Sequence, residues 1–194
     1  MEVTLSNICP SELCKMQEGL EISCEFRNRG GNDNNIYIIN KCDIASYDFD
    51  YTTNIVNSFT LNTNTTWFLV QARLDSIAWE ETVNQQTGFY TQNLTFILDL
   101  VAQANTVDDG AQALLNFLHS ITNPYNDYVA VFTHNMGFRR VFGLLEIRGL
   151  KNGGGTVGTS GTNFEELGGY TITMTASAGE PAPVLAIGAA LPTV

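Results

Sequence analysis

The chain has 194 residues, 44% of them hydrophobic, enough to bury a core in one large or two small domains and too apolar for a disordered tail. Only 15% are charged, while 21 Thr and 19 Asn supply much of the polar surface, the composition of a β-rich chain. Nine Lys and Arg stand against 20 Asp and Glu, a formal charge of -11, which leaves no basic footprint for holding a nucleic-acid backbone.

The opening residues carry no basic stretch followed by an apolar one, and no run approaches the ~18 apolar residues of a membrane span. The expectation is a soluble protein made in a cytoplasm, with no membrane partner. Cys9, Cys14, Cys24 and Cys42 all fall in the first quarter, yet no two show the C-x2-C spacing that lets paired thiolates reach one zinc ion. They read as free thiols in a reducing compartment. The sequons at Asn64 and Asn93 carry no weight in that setting.

Residues 1–32 mix charge, Cys and Gly and end in the turn-rich run Arg29-Gly30-Gly31-Asn32-Asp33-Asn34, so they read as an N-terminal arm or extension. Residues 33–178 read as a single β-rich domain. Its first strands are signalled by Ile36-Tyr37-Ile38-Ile39, Thr60-Leu61 and the run from Trp67 to Leu74. A strand over 79–83, a turn over 84–88 and a strand over 89–98 follow. In the last of these Tyr90, Leu94, Phe96 and Leu98 share a parity that Gln92 interrupts.

One helix is expected at about 107–121, with Ala111, Leu114, Leu115, Leu118 and Ile121 on one stripe. Thr106 is its candidate N-cap, Asp108 and Asp109 complement the dipole, and Asn123-Pro124 ends it. This helix should lie as a single flank on a sheet. A hairpin follows, from Tyr128–Phe132 through a turn at 133–137 into a strand over 138–147. The segment from Gly149 to about Gly169 is glycine-rich and reads as a long mobile connection, and Tyr170 to Ala176 alternates as a final strand. Residues 179–194 are too rich in Pro and Gly for a helix and read as an extended C-terminal arm that docks on a neighbour or stays mobile. The fold class is therefore mainly β, a sandwich or half-barrel with one flanking helix.

Motifs for chemistry are missing. His119 and His134 have no carboxylate or Cys at a ligand spacing, and no nucleophile elbow is present. The glycine run Gly153-Gly154-Gly155 lacks the Gly-Lys-Ser/Thr ending of a phosphate loop and opens no helix. Asp43, Asp48 and Asp50 lack calcium-loop spacing and read as a solvated acidic loop. No catalytic, cofactor-binding or metal-ligating residue is assigned, no cofactor is expected, and the reading is of a protein that is not an enzyme.

The order strand, amphipathic helix, hairpin, Gly-rich loop and final strand ends in Gly169-Tyr170-Thr171-Ile172-Thr173-Met174-Thr175 and a Glu180-Pro181-Ala182-Pro183 tail. Over roughly Phe89 to Val184 it resembles the structural proteins of tailed phages, and more narrowly tail tube-like and tail hub proteins, including those of phages infecting Bacteroidetes. That resemblance implies self-assembly into a ring, six-fold with twelve-fold as the alternative, around a channel through which DNA passes without specific binding. It implies neighbouring tail or connector proteins as partners and a place in the virion tail after synthesis in the host cytoplasm. Met136, Gly137 and Phe138 at the hairpin turn, and Gly153, Gly154, Gly155 and Phe164 in the Gly-rich segment, are the expected subunit contacts. Two other readings stand beside it. One is a head-to-tail connector or capsid-decorating protein. The other is a carbohydrate-binding β-sandwich, in which Tyr47, Phe49 and Tyr51 on one face of an extended segment stack on sugars; the same stripe also reads as ordinary core.

Overall fold

The computed structural model describes residues 2–4, 33–99, 107–134, 137–145, 148–159 and 168–193. The strands are β1 (Glu2–Thr4), β2 (Asn35–Asn40), β3 (Ile44–Asp50), β4 (Ile55–Leu61), β5 (Phe68–Gln71), β6 (Ala78–Val83) and β7 (Tyr90–Leu98). After the helix α1 (Val107–Ile121) come β8 (Tyr128–Thr133), β9 (Arg139–Phe142), β10 (Lys151–Thr159), β11 (Gly169–Ala178) and β12 (Val184–Leu185). They form an eight-stranded sheet in the order β1-β3-β4-β12-β9-β8-β2-β5 and a four-stranded sheet in the order β10-β11-β7-β6. The expected mainly-β architecture with a single α-helix is what the described residues form.

Alternation builds the layer between the sheets. Ile36 and Ile38 of β2 and Tyr128, Ala130 and Phe132 of β8 join Leu94, Phe96 and Leu98 of β7 and Ile172, Met174 and Ala176 of β11 in one buried cluster. The opposite parity of the large sheet is buried as well. Val129, Val131 and Val141 pack with Ile39, Tyr47, Phe49, Val56 and Trp67 in a second cluster. Burial on both faces explains why β8 reads as an unbroken apolar run rather than an alternating one.

The helix has the expected bounds, but its buried stripe is rotated. Leu114, Phe117, Leu118 and Ile121 enter the inter-sheet cluster, whereas Leu115 is 54% exposed. The helix therefore shares the main core. Its end is fixed by Thr122, whose hydroxyl donates to the Leu118 carbonyl at 2.7 Å, and by Asn123, whose side-chain oxygen accepts the Tyr125 N–H at 3.0 Å. The candidate cap Thr106 lies outside the described residues.

Four expectations need correction. Lys151–Thr159 is a strand, not part of a mobile connection, and pairs with β11 over Thr156↔Ile172 to Thr159↔Gly169. Two of its glycines, Gly153 and Gly158, are there for space. A Cβ at Gly158 would sit 2.6 Å from the Tyr170 ring, and one at Gly153 would sit 2.5 Å from Thr175 Oγ1. Second, the strand after the hairpin ends at Phe142, because Gly143 at φ +79° turns the chain away.

Third, the segment expected to reach a neighbour or stay mobile is extended but makes its contacts within its own chain. Val184 and Leu185 sit between β4 and β9, parallel to the first and antiparallel to the second. The chain then crosses the second cluster, and the Trp67 N–H donates to the Pro192 carbonyl at 2.8 Å. Fourth, Cys42 is disulfide-bonded, not free. It lies in the short 3-10 turn Lys41–Asp43 that joins β2 to β3, while Cys9, Cys14 and Cys24 lie outside the described residues. The spacing of cysteines excluded a tight zinc pair but carried no information on distant pairing.

Candidate assembly surface

The turn joining β8 to β9 closes through the His134 N–H to the Phe138 carbonyl at 2.8 Å and the Gly137 N–H to the His134 carbonyl at 2.7 Å. Gly137 is exposed at φ +85°, a conformation that favours glycine. Phe138 stacks on the His134 ring with centroids 4.6 Å apart and 10° between planes. From β6, Trp79 meets His134 edge-on at 6.0 Å, and the Arg140 guanidinium lies over the Trp79 ring at 5.1 Å and the Phe138 ring at 5.9 Å. These contacts tie the hairpin turn to one edge of the small sheet. Met136 lies outside the described residues.

Gly153, Gly154 and Gly155 lie on β10, the opposite edge of that sheet. The register shifts between Asn152 and Thr156, and Gly155 adopts φ +79° within that irregularity, so the regular part of β10 is Thr156–Thr159. Phe164 lies outside the described residues. The two expected contact regions are thus not brought together. The turn belongs to the eight-stranded sheet and leans on β6 through Trp79, whereas the glycines lie on β10, three inter-strand steps or about 14 Å from β6 at ~4.8 Å per step.

Neither edge strand has a second partner among the described residues. On β6, Glu80, Thr82 and Val83 are exposed, and Phe89 beyond the adjoining turn is 54% exposed. On β10, Val157 is 63% exposed. Between them the outward face of the sheet is largely neutral. Thr91, Asn93 and Thr95 of β7 stand beside Ser177, Thr175 and Thr173 of β11. Thr175 Oγ1 donates to Asn93 Oδ1 at 2.9 Å, and the Thr95 and Thr173 hydroxyls are 3.2 Å apart. Lys151 is held by Asp127 at 3.2 Å and donates to the Pro124 carbonyl at 2.8 Å.

Behind the β6 edge a polar network joins the two sheets. Glu81 Oε1 accepts the Ala182 N–H at 2.6 Å and Gln92 Nε2 at 3.4 Å, while Gln92 Oε1 accepts the Gly143 N–H at 3.1 Å. Buried Lys41 donates from Nζ to the Gly143 carbonyl at 3.0 Å. Gln92 is the residue that breaks the apolar parity of β7, and that break was the only sequence signal of this network. Its partners are distant in the chain.

The other candidates resolve differently. Tyr47 and Phe49 are 5% and 1% exposed and belong to the second cluster, so only Tyr51, at 58%, is open to solvent. Three rings do not form an exposed platform. Burial raises the Tyr47 phenol above its usual value, with the neighbouring Tyr51 adding to the effect. Asp50 is held below the ordinary carboxylate range, first by the Thr53 hydroxyl at 2.7 Å and then by the Thr52 N–H at 2.8 Å, so it organises the β3–β4 turn. Tyr128 is pushed well above the ordinary phenol range by burial; its hydroxyl donates to the Ser120 carbonyl at 2.6 Å and accepts from Asn126 at 2.8 Å. His119 is exposed on the helix. Among the described residues no three His, Cys, Asp or Glu side chains group as metal ligands, and no helix is long and apolar enough to cross a membrane.

No protein-family model, curated protein or solved structure matches the chain.

Proposed function

We infer that the chain is a non-enzymatic structural subunit that self-assembles into a closed ring. Within that class, it is a tail tube-like or tail hub subunit of a phage virion, its ring surrounding a channel for DNA. The observation that carries this reading is the four-stranded sheet whose edges, β6 and β10, unpaired among the described residues, lie on opposite sides. Opposite, non-identical edges favour head-to-tail association, which closes when the rotation per copy divides the circle.

Strand direction agrees with such a ring. The four strands pair antiparallel at every step, so β6 runs opposite to β10 and would meet the β10 of an identically oriented neighbour antiparallel. Six copies would make a wall about 50 Å across at the backbone, from ~4.8 Å strand spacing and about 40° of tilt. The large sheet and helix cover one face of that wall, and the threonine-rich face is left for the channel. Hydroxyls and amides without a basic patch make few salt-dependent phosphate contacts, which suits passage rather than retention of DNA.

Lysine at an exposed edge position blocks strand addition without entering the core. Thr82→Lys on β6 and Val157→Lys on β10 should each abolish association while circular dichroism and thermal melting keep the wild-type profile. Assemblies unaffected by both substitutions would overturn the edge-to-edge reading.

A further inference from the structure

The C-terminal residues lie in a slot that recognises their main chain. Arg139 donates to the carbonyls of Ala186 and Ala189, each at 2.9 Å, and Arg140 donates to the Ala182 carbonyl at 2.7 Å. Glu81 receives the Ala182 N–H at 2.6 Å, and Asn54 donates to the Pro181 carbonyl at 3.3 Å. Ladder bonds from Val184 to the Asn54 carbonyl and from Ala186 to the Val56 carbonyl complete the grip. Ala182 and Leu185 are 0% and 1% exposed, one small and one large apolar socket. This is strand addition combined with side-chain sockets, the physics by which peptide-binding domains hold extended ligands.

We propose that the gap between β4 and β9 is a peptide-binding site, filled here by residues 181–191 of its own chain, that accepts the same segment from a second copy. The commitment to a second copy rests on the contacts themselves. The polar ones go to backbone atoms, and the two sockets fit Ala182 and Leu185, so an identical chain reproduces every one of them. The bend at Gly179 and Glu180 that leads from β11 into the slot is exposed. Exchange of such an element conserves its contacts and is governed by concentration and by the connection. This proposal does not depend on the ring.

The connection is the handle for testing it. Deleting Gly179–Pro181 shortens the path from Ala178 to Val184 to three peptide steps, about 11 Å at full stretch, against the ~10 Å between packed sheets and with no residues left for the bend. The full-length deletion variant should then be oligomeric, with its C-terminal segment protected from protease. In equal mixtures of isotopically heavy and light copies carrying a photo-crosslinking benzoylphenylalanine at position 191, heavy–light products should approach about half of all cross-links, the statistical limit for exchange between identical copies. A folded monomer whose C-terminal segment is clipped would overturn the proposal. If the deletion prevents folding, the full chain with the same photo-crosslinker decides. Heavy–light products should rise at least tenfold as the co-refolding concentration is raised, and their absence at every concentration would refute exchange.

Discussion

Leu185→Ala tests whether the C-terminal segment is part of the core or an appendage. Leu185 is 1% exposed and belongs to the second cluster with Val56, Val129, Val131 and Val141. Truncating a fully buried leucine removes its transfer free energy and leaves a cavity, about 2–5 kcal/mol in total. The two-residue strand lies between β4 and β9, where limited collapse is available, so a value of about 3 kcal/mol is appropriate. With a urea dependence of about 2 kcal/mol per molar, the unfolding midpoint falls by roughly 1.5 M. Ile187, two residues on and 100% exposed, is the internal control, and Ile187→Ala should change stability by no more than about 0.5 kcal/mol. Urea titrations followed by tryptophan fluorescence report directly on buried Trp67, which pairs with the end of the same segment. Equal, small effects at positions 185 and 187 would refute the account of the slot.

Gly143 combines φ +79° with a Cβ position only 2.5 Å from the Tyr128 carbonyl oxygen and 2.7 Å from the Leu150 nitrogen, both main-chain atoms. Gly143→Ala should cost about 2–4 kcal/mol in a thermal or urea melt, and a neutral result would contradict the packing at that turn. Tyr128 has a higher pKa folded than unfolded, so above about pH 10 the unfolded chain sheds a proton that the folded chain retains. Stability should therefore decline by up to about 1.4 kcal/mol per pH unit from that point, and Tyr128→Phe should remove that part of the alkaline slope. An unchanged slope in the variant would contradict the buried phenol. Titration of the denatured, unreduced protein should find at most two free thiols among its 4 cysteines, since Cys42 and its partner are oxidised; four free thiols would contradict the disulfide.

Much of the fold was legible because its signals are local. The helix bounds follow from periodicity and from Asn123-Pro124, and β7, β8 and β11 follow from alternation and apolar runs. Features set by distant partners were not legible. The glycine-rich strand looked like a loop because the reason for Gly158 and Gly153, the Tyr170 ring and the Thr175 side chain, lies on the paired strand β11. Phe117 took the place of Leu115 on the buried face because the helix is rotated about its axis by its tertiary packing, which periodicity alone does not fix. The C-terminal segment looked free because its Pro residues exclude a helix, yet Pro181 and Pro183 leave their carbonyls available to Asn54 and to the Val141 N–H. At the candidate assembly surface, the hairpin turn and the glycine segment were singled out by turn chemistry. That the turn belongs to one sheet and the glycine segment to an edge of the other is a property of strand order, which no local pattern encodes.

The central claim is ring closure through the edges of the small sheet. Light scattering of the purified full chain over a range of concentrations, with negative-stain imaging of the same fractions, tests it most directly. The account predicts a discrete mass of six copies, or twelve, and particles with a central hole that lose their order when Thr82 or Val157 becomes lysine. A monodisperse monomer at every concentration would contradict it.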